Sequence, residues 1–269
     1  MIEFRGENPY VQITVSDRLL LAATEVPITV ARLRNTFEQK TTDVAYAQTW
    51  LNEASKIGRE NNLNDVFPND SATAVIDRKL ASGFSMSVFS FTTDTGIWVL
   101  KIGAQKAAAP GWLDPSSKAY AEWYSRNLHI LYETLDNCLP HAIPKPQYVM
   151  HATTQKQETS LVIQPYIPLQ RDLTDAVRFP HDIRKSILDE FEVFYRSFEE
   201  LRKKHGLFPD LGRKGNLVLS DEHDIPHLVL VDNELIDQHT PSPLINLYNA
   251  LAYHTRLQSM LKKLEKSFT

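Results

Sequence analysis

The sequence predicts an α+β chain in two lobes preceded by a mostly helical extension, and three observations predict it. Short β-rich runs recur between residues 74 and 164, broken by one helical stretch, helical periods dominate from about residue 182 onward, and the polar stretch Asn61-Asn-Leu-Asn-Asp-Val-Phe-Pro-Asn-Asp70 separates both from what precedes them. Runs of strands followed by runs of helices are the pattern of segregated α+β architectures. The expected boundaries are 1–70 for the extension, 71–168 for a sheet-bearing lobe and 169–269 for a helical one. With 42% hydrophobic and 23% charged residues in a 269-residue chain, a packed core is expected and extended disorder is not. The single cysteine, Cys138, excludes an internal disulfide and a cysteine-based zinc cluster. A balance of 29 Lys+Arg against 33 Asp+Glu is unlike the basic footprint of a nucleic-acid binder. No apolar run approaches the roughly 18 residues of a membrane span, and Glu3, Glu7 and Asp17 stand where a signal peptide would be apolar. The expectation is a protein of the reducing cytoplasm, with neither nucleic acid nor membrane as partner.

Taken in order, Val11 to Val15 alternates as a short strand would, and Thr42 to Asn61, rich in Ala, Gln and Glu, reads as a helix. Ala74-Val-Ile76, Ser87-Val-Phe-Ser-Phe91 and Ile97-Trp-Val-Leu-Lys-Ile102 read as strands, the last two joined by a turn at Asp94-Thr-Gly96. From Ser116 to Asn137 the period turns helical, with Tyr120, Trp123, Tyr124, Leu128, Leu131 and Leu135 on one face. Gln147 to His151 and Leu161 to Gln164 are two further strands. Ile187, Phe191, Phe194, Phe198 and Leu201 recur at steps of four and three, which predicts a helix over 182–204. A hairpin of Leu217-Val-Leu219 and Leu228-Val-Leu-Val231 follows, and a last helix is expected from Pro243 to Phe268.

Four places could carry chemistry. Gly83, which follows Ser82 and lies close to Ser85 and Ser87, could bring backbone N–H groups to a phosphate, or could make an ordinary hairpin turn. Lys101 lies in an otherwise apolar strand, so it must reach solvent on an edge strand or find an anionic partner, because burying a lone ammonium is costly. Asp210 and Asn216 flank a glycine-containing loop that also holds Arg213 and Lys214; turn chemistry and a solvated loop tip explain the same residues. Asp232 stands immediately beyond an apolar strand, well placed for a metal and equally for capping a turn.

In their order and spacing these segments resemble the protein-kinase-like fold from about Val75 to Asp237, and more closely its small bacterial branch, the aminoglycoside-phosphotransferase-like and atypical kinases. The resemblance implies a two-lobed fold with a small antiparallel-sheet N-lobe and a reduced helical C-lobe. It implies ATP and Mg²⁺ as cofactors and a hydroxyl, on a small molecule or a protein, as phosphoryl acceptor. Gly83, Ser85 and Ser87 match the loop over the ATP phosphates. Lys101 in Val-Leu-Lys-Ile matches the phosphate-binding lysine of the third strand. Glu122 in the next helix is its implied carboxylate partner, with Glu133 the alternative. Gln164, Tyr166 and Ile167 match the hinge that binds adenine through main-chain groups. Asp210 resembles the catalytic aspartate, and Asn216 and Asp232 the metal ligands.

This sequence departs from the family pattern in three places. Asn216 follows Asp210 by six positions instead of five, Phe208 stands where a histidine is common, and Asn233-Glu234 replaces Phe-Gly after Asp232. An alternative therefore stands beside the enzyme: a pseudokinase-like module that binds nucleotide or partner without turnover, with the N-terminal extension as a surface for a protein partner. Two geometric expectations follow from the enzyme reading. Lys101 should lie within about 4 Å of Glu122 in an active-like state, an inactive or nucleotide-free conformer separating the two, and the main-chain groups of 164–166 should stay out of the strand ladder.

Overall fold

The computed structural model describes residues 11–14, 44–68, 74–82, 85–104, 113–155, 157–168, 170–211, 215–220, 225–237, 259 and 262. The expected helix over 243–268 and Gly83, Arg213 and Lys214 lie outside the described residues. The chain divides into two compact units, one of residues 1–125 and 145–166, the other of 126–144 and 167–269.

The first unit is built on a six-stranded sheet. Its strands are β1 (Val11–Thr14), β2 (Val75–Ser82), β3 (Met86–Thr93), β4 (Gly96–Gly103), β5 (Gln147–Thr153) and β6 (Glu158–Pro165). They lie in the order β1-β5-β6-β4-β3-β2. Only β1 runs parallel to its neighbour, β5; the other pairs are antiparallel. Helix α1 (Val44–Glu60) covers one face. Its Ala47, Trp50, Leu51 and Ala54 recur at helical spacing and share a core with Phe89, Phe91, Trp98, Leu100, Ile102, Leu161 and Ile163 of the sheet. The helix ends in a left-handed Asn62 (φ 58°), with Asn62 N–H bonded to the Arg59 carbonyl at 3.2 Å and Leu63 N–H to the Gly58 carbonyl at 2.8 Å. That reversal returns Leu63, Val66 and Phe67 to the same core. Residues 44–67, which the sequence placed in an extension, are thus structurally part of the sheet's unit, and the apolar face of α1 is used within the chain.

Helix α2 (Lys118–Leu135) contributes its first half to this unit and its second half to the other. Ser117 caps it, its hydroxyl accepting from Tyr120 N–H at 3.1 Å.

The second unit holds the 25-residue helix α3 (His181–His205), whose Ile187, Phe191, Phe194, Phe198 and Leu201 form the stripe that the sequence predicts. It stops at Gly206, which is left-handed (φ 69°) and donates to the Arg202 carbonyl at 2.9 Å. Among its described residues are two small sheets. One consists of β7 (Gln170–Asp172), β9 (Leu217–Ser220) and β10 (His227–Leu230), with β9 in the middle; the other pairs β8 (Leu207–Pro209) with β11 (Leu235–Asp237). A 3₁₀ turn over Leu173–Arg178 precedes α3. Among the described residues, no helix is long and apolar enough to cross a membrane.

Candidate functional site

The two faces of the large sheet differ in kind. Cross-strand partners share a face, and Leu100, Phe89 and Ile163 face α1. Lys101 pairs with Val88 and Val162, and so lies on the opposite face, in a central strand and only 3% exposed. By the same parity Ser90 and Gln164, both paired with Val99, and His151 and Ser160, paired with each other, share the face of Lys101. All four are buried. One side of the sheet is therefore an apolar core, and the other is a mixed surface in which Lys101, Ser90, Gln164, His151 and Ser160 lie among Val88, Val99, Val149 and Val162. Of the two readings open from the sequence, an exposed edge-strand lysine is the one the structure removes.

The neighbours expected for Lys101 are placed differently. Ser87 pairs with Ile102 and thus lies on the α1 face. Ser85 extends the β3–β4 ladder, its carbonyl accepting from Ala104 N–H at 2.8 Å. Glu122 is 58% exposed and pairs with Lys118, one turn back, at 3.7 Å; among the described residues no ion pair joins it to Lys101. The reason is helical phase: the buried stripe of α2 runs through Tyr120, Tyr124 and Leu128, and Glu122 projects to the other side. The alternative, Glu133, pairs with His129 at 3.2 Å.

At the end of β6 the expected break in the ladder does not occur at Tyr166, whose N–H donates to the Ile97 carbonyl at 3.2 Å. Pro165 has no N–H. Of the residues named for adenine recognition, Gln164 places a buried carboxamide on the Lys101 face.

In the second unit Asp210 and Asn216 are tied to each other and to Val231 and Glu234 farther along the chain. Asn216 Nδ2 donates to the Asp210 main-chain carbonyl at 2.6 Å. Asp210 N–H donates to the Glu234 carbonyl at 3.3 Å, and Val231 N–H to the Asn216 carbonyl at 2.8 Å. The hairpin register, with Leu217 opposite Leu230, thus brings Asn216 beside the residue that precedes Asp232. The loop from Asp210 returns through Gly215 at φ 97°, a conformation that L side chains rarely adopt.

No family model matches the chain. No curated protein matches it either. Among solved structures, the chain is similar to a point mutant of the Mycobacterium tuberculosis PknI kinase domain, at 16% identity over 72% of this chain and 75% of that one, with a TM-score of 0.37. It is similar to a second structure of the PknI kinase domain at 15% identity, over 61% of each chain, with a TM-score of 0.35. Similarity at these scores does not assign a family.

The donor set near Asp232 suits a hard cation. Asn216 and Asp232 both offer oxygen, and the bond from Nδ2 to Asp210 fixes the Asn216 amide so that Oδ1 is its remaining ligand atom. Among the described residues, no group of three or more His, Cys, Asp or Glu side chains could hold an ion. Mg²⁺ does not require one, because it commonly takes one or two protein ligands and fills its octahedron with phosphate oxygens and water.

The sequence argument missed Gln147, His151, Ser160 and Gln164 as buried polar residues on one face of β5 and β6, where Val149 and Val162 stand between them. Burial pushes the His151 imidazole below its ordinary value; Glu158, 3.6 Å away, pulls in the opposite direction.

Proposed function

We propose that this protein is a kinase-like phosphotransferase that moves the terminal phosphoryl group of ATP, with Mg²⁺, to a hydroxyl of a small molecule, a protein hydroxyl being the second acceptor class. The observation that carries this reading is the joining of Asp210, Asn216 and the strand leading to Asp232 by hydrogen bonds across three separate segments. Phosphoryl transfer asks a protein for positioning and charge neutralisation more than for covalent chemistry. Asn216 and Asp232 would hold Mg²⁺, which when bound neutralises charge on the phosphate oxygens. Lys101 would orient the α- and β-phosphates, its burial strengthening the attraction to an anion. Asp210 would accept the acceptor's hydroxyl proton. The reading locates the protein in the cytoplasm, where its nucleotide is.

A thermal-unfolding series with ATP, ADP and GTP, each with and without Mg²⁺, tests it. At about 100 times Kd a nucleotide adds roughly 2.7 kcal/mol of stability, and the shift should require Mg²⁺. Absence of any shift at millimolar nucleotide overturns the proposal.

A further inference from the structure

The margin of the Lys101 face toward β2 carries a second cation. We propose that Arg78 of β2 binds phosphate oxygens of the nucleotide alongside Lys101, an inference that rests on the phosphotransferase reading.

Regular strand alternation would put Arg78 on the α1 face with Ile76, two residues before it. A bulge prevents this. The β2–β3 register passes from Ile76, opposite Phe91, to Arg78, opposite Ser90, so Asp77 is the extra residue. Bulges re-aim side chains in this way. Ser90 is in turn opposite Val99, and Arg78 thereby joins the face of Lys101. A second bulge at Leu80 sets Ala81 opposite Val88, in the same cross-strand row as Lys101.

This face is covered unevenly. At its β5–β6 end Ser160 Oγ donates to the Ser117 carbonyl at 2.8 Å, which fastens the start of α2 there. Toward β2 the face opens: Val162 and Lys101 are buried, Val88 is half-buried and Ala81 is exposed. Val75, Thr92 and Ile97, the next row on that face, are exposed as well. Arg78 stands at this opening, itself exposed, and among the described residues no hydrogen bond or ion pair engages it. The adjacent carboxylate, Asp77, instead accepts from Thr92 Oγ1 on both oxygens, at 3.0 and 3.2 Å.

Two strand spacings of about 4.8 Å and two residues of about 3.4 Å put the Cα atoms of Arg78 and Lys101 roughly 12 Å apart. Two long side chains can converge on one polyphosphate across that span. A guanidinium suits the outer place, because it stays charged in water and its planar fork takes phosphate oxygens in pairs.

Lys79 supplies a control. It has the same charge as Arg78 but pairs with Phe89, so it lies on the α1 face. Calorimetric titration of the full chain with ATP in excess Mg²⁺, and separately with adenosine, tests the proposal. Arg78→Ala should weaken ATP about 10-fold, the loss expected for one charge-assisted hydrogen bond at an exposed margin, and should leave adenosine affinity unchanged. Lys79→Ala should leave ATP affinity unchanged. If the unaltered chain binds ATP, wild-type affinity in Arg78→Ala overturns this inference alone. Equal weakening by the two variants, or an equal loss for adenosine, does the same. Failure of the unaltered chain to bind ATP overturns the phosphotransferase reading and this inference with it.

Discussion

Asp210 and Asp232 divide the proposed chemistry between them, and their surroundings say how. Asp232 follows a strand whose register with Asn216 is fixed by the hairpin, whereas Asp210 is held through its main chain, by Asn216 and by Glu234. Asp232→Asn is therefore expected to abolish Mg²⁺-dependent nucleotide binding in calorimetry. Asp210→Asn should leave that binding nearly intact and lower transfer by roughly 10²–10⁴-fold, the usual cost of a lost general base. Nucleotide binding with no change in turnover on Asp210→Asn would favour a binding module over an enzyme. The nearness of Asn216 to Asp232 was legible in the sequence, because two apolar runs joined by a polar turn imply a hairpin whose ends meet. The placement of Glu122 was not, because a resemblance names a helix residue without the helical phase that here turns it toward Lys118. For Ser87 the signal was present and unused, since alternation with Phe89 and Phe91 already assigns it to the apolar face.

At the scale of elements, the approach to α2 depends on Gly103. A Cβ there would collide with the Pro115 carbonyl oxygen. The neighbouring backbone cannot easily retreat: Ser116 N–H and Oγ both donate to Asp114 Oδ1, and Thr159 Oγ1 donates to the Gly103 carbonyl. Gly103→Ala should destabilise the protein by about 1–3 kcal/mol, as overpacking of a tight site does, read as a lower midpoint in urea unfolding. An unchanged midpoint would mean that the turn before α2 yields freely. The long elements were readable because an amphipathic period needs several turns or alternations to emerge, and α1, α3 and β3–β6 supply them. The strands β7, β8 and β11 have three residues each, too few to carry any period. That α1 covers the sheet was also hidden, because its period marks an apolar face without naming what will cover it.

For the molecule as a whole, His151 couples stability to pH. Burial holds its folded pKa below the ordinary value, outweighing Glu158, the Ser116 main chain and Glu122, while Lys118 adds to the lowering. In the unfolded chain the ring protonates near pH 6.5. Just below that pH the unfolded state binds more protons, so His151's contribution is complete above about pH 6.5 and is lost as the pH falls through the folded value. Urea unfolding between pH 7.5 and 5.5 should show this loss, and His151→Gln should lessen it; equal slopes would exclude His151 as the cause. The division into a strand-rich and a helix-rich part was legible from the order of the runs. The transfer of residues 126–144 to the second unit was not, because the period of α2 passes Ser125 and Arg126 without a break. The contrast between the sheet's faces also limits how this chain can change length. One residue inserted within β4 ahead of Leu100 would invert the side chains beyond it, sending Lys101 among Trp50 and Phe89 and turning Leu100 toward the face of Ser90 and Gln164. Two inserted residues would restore the alternation. Length variation among related sequences should therefore be confined to turns, or come in even steps within this strand.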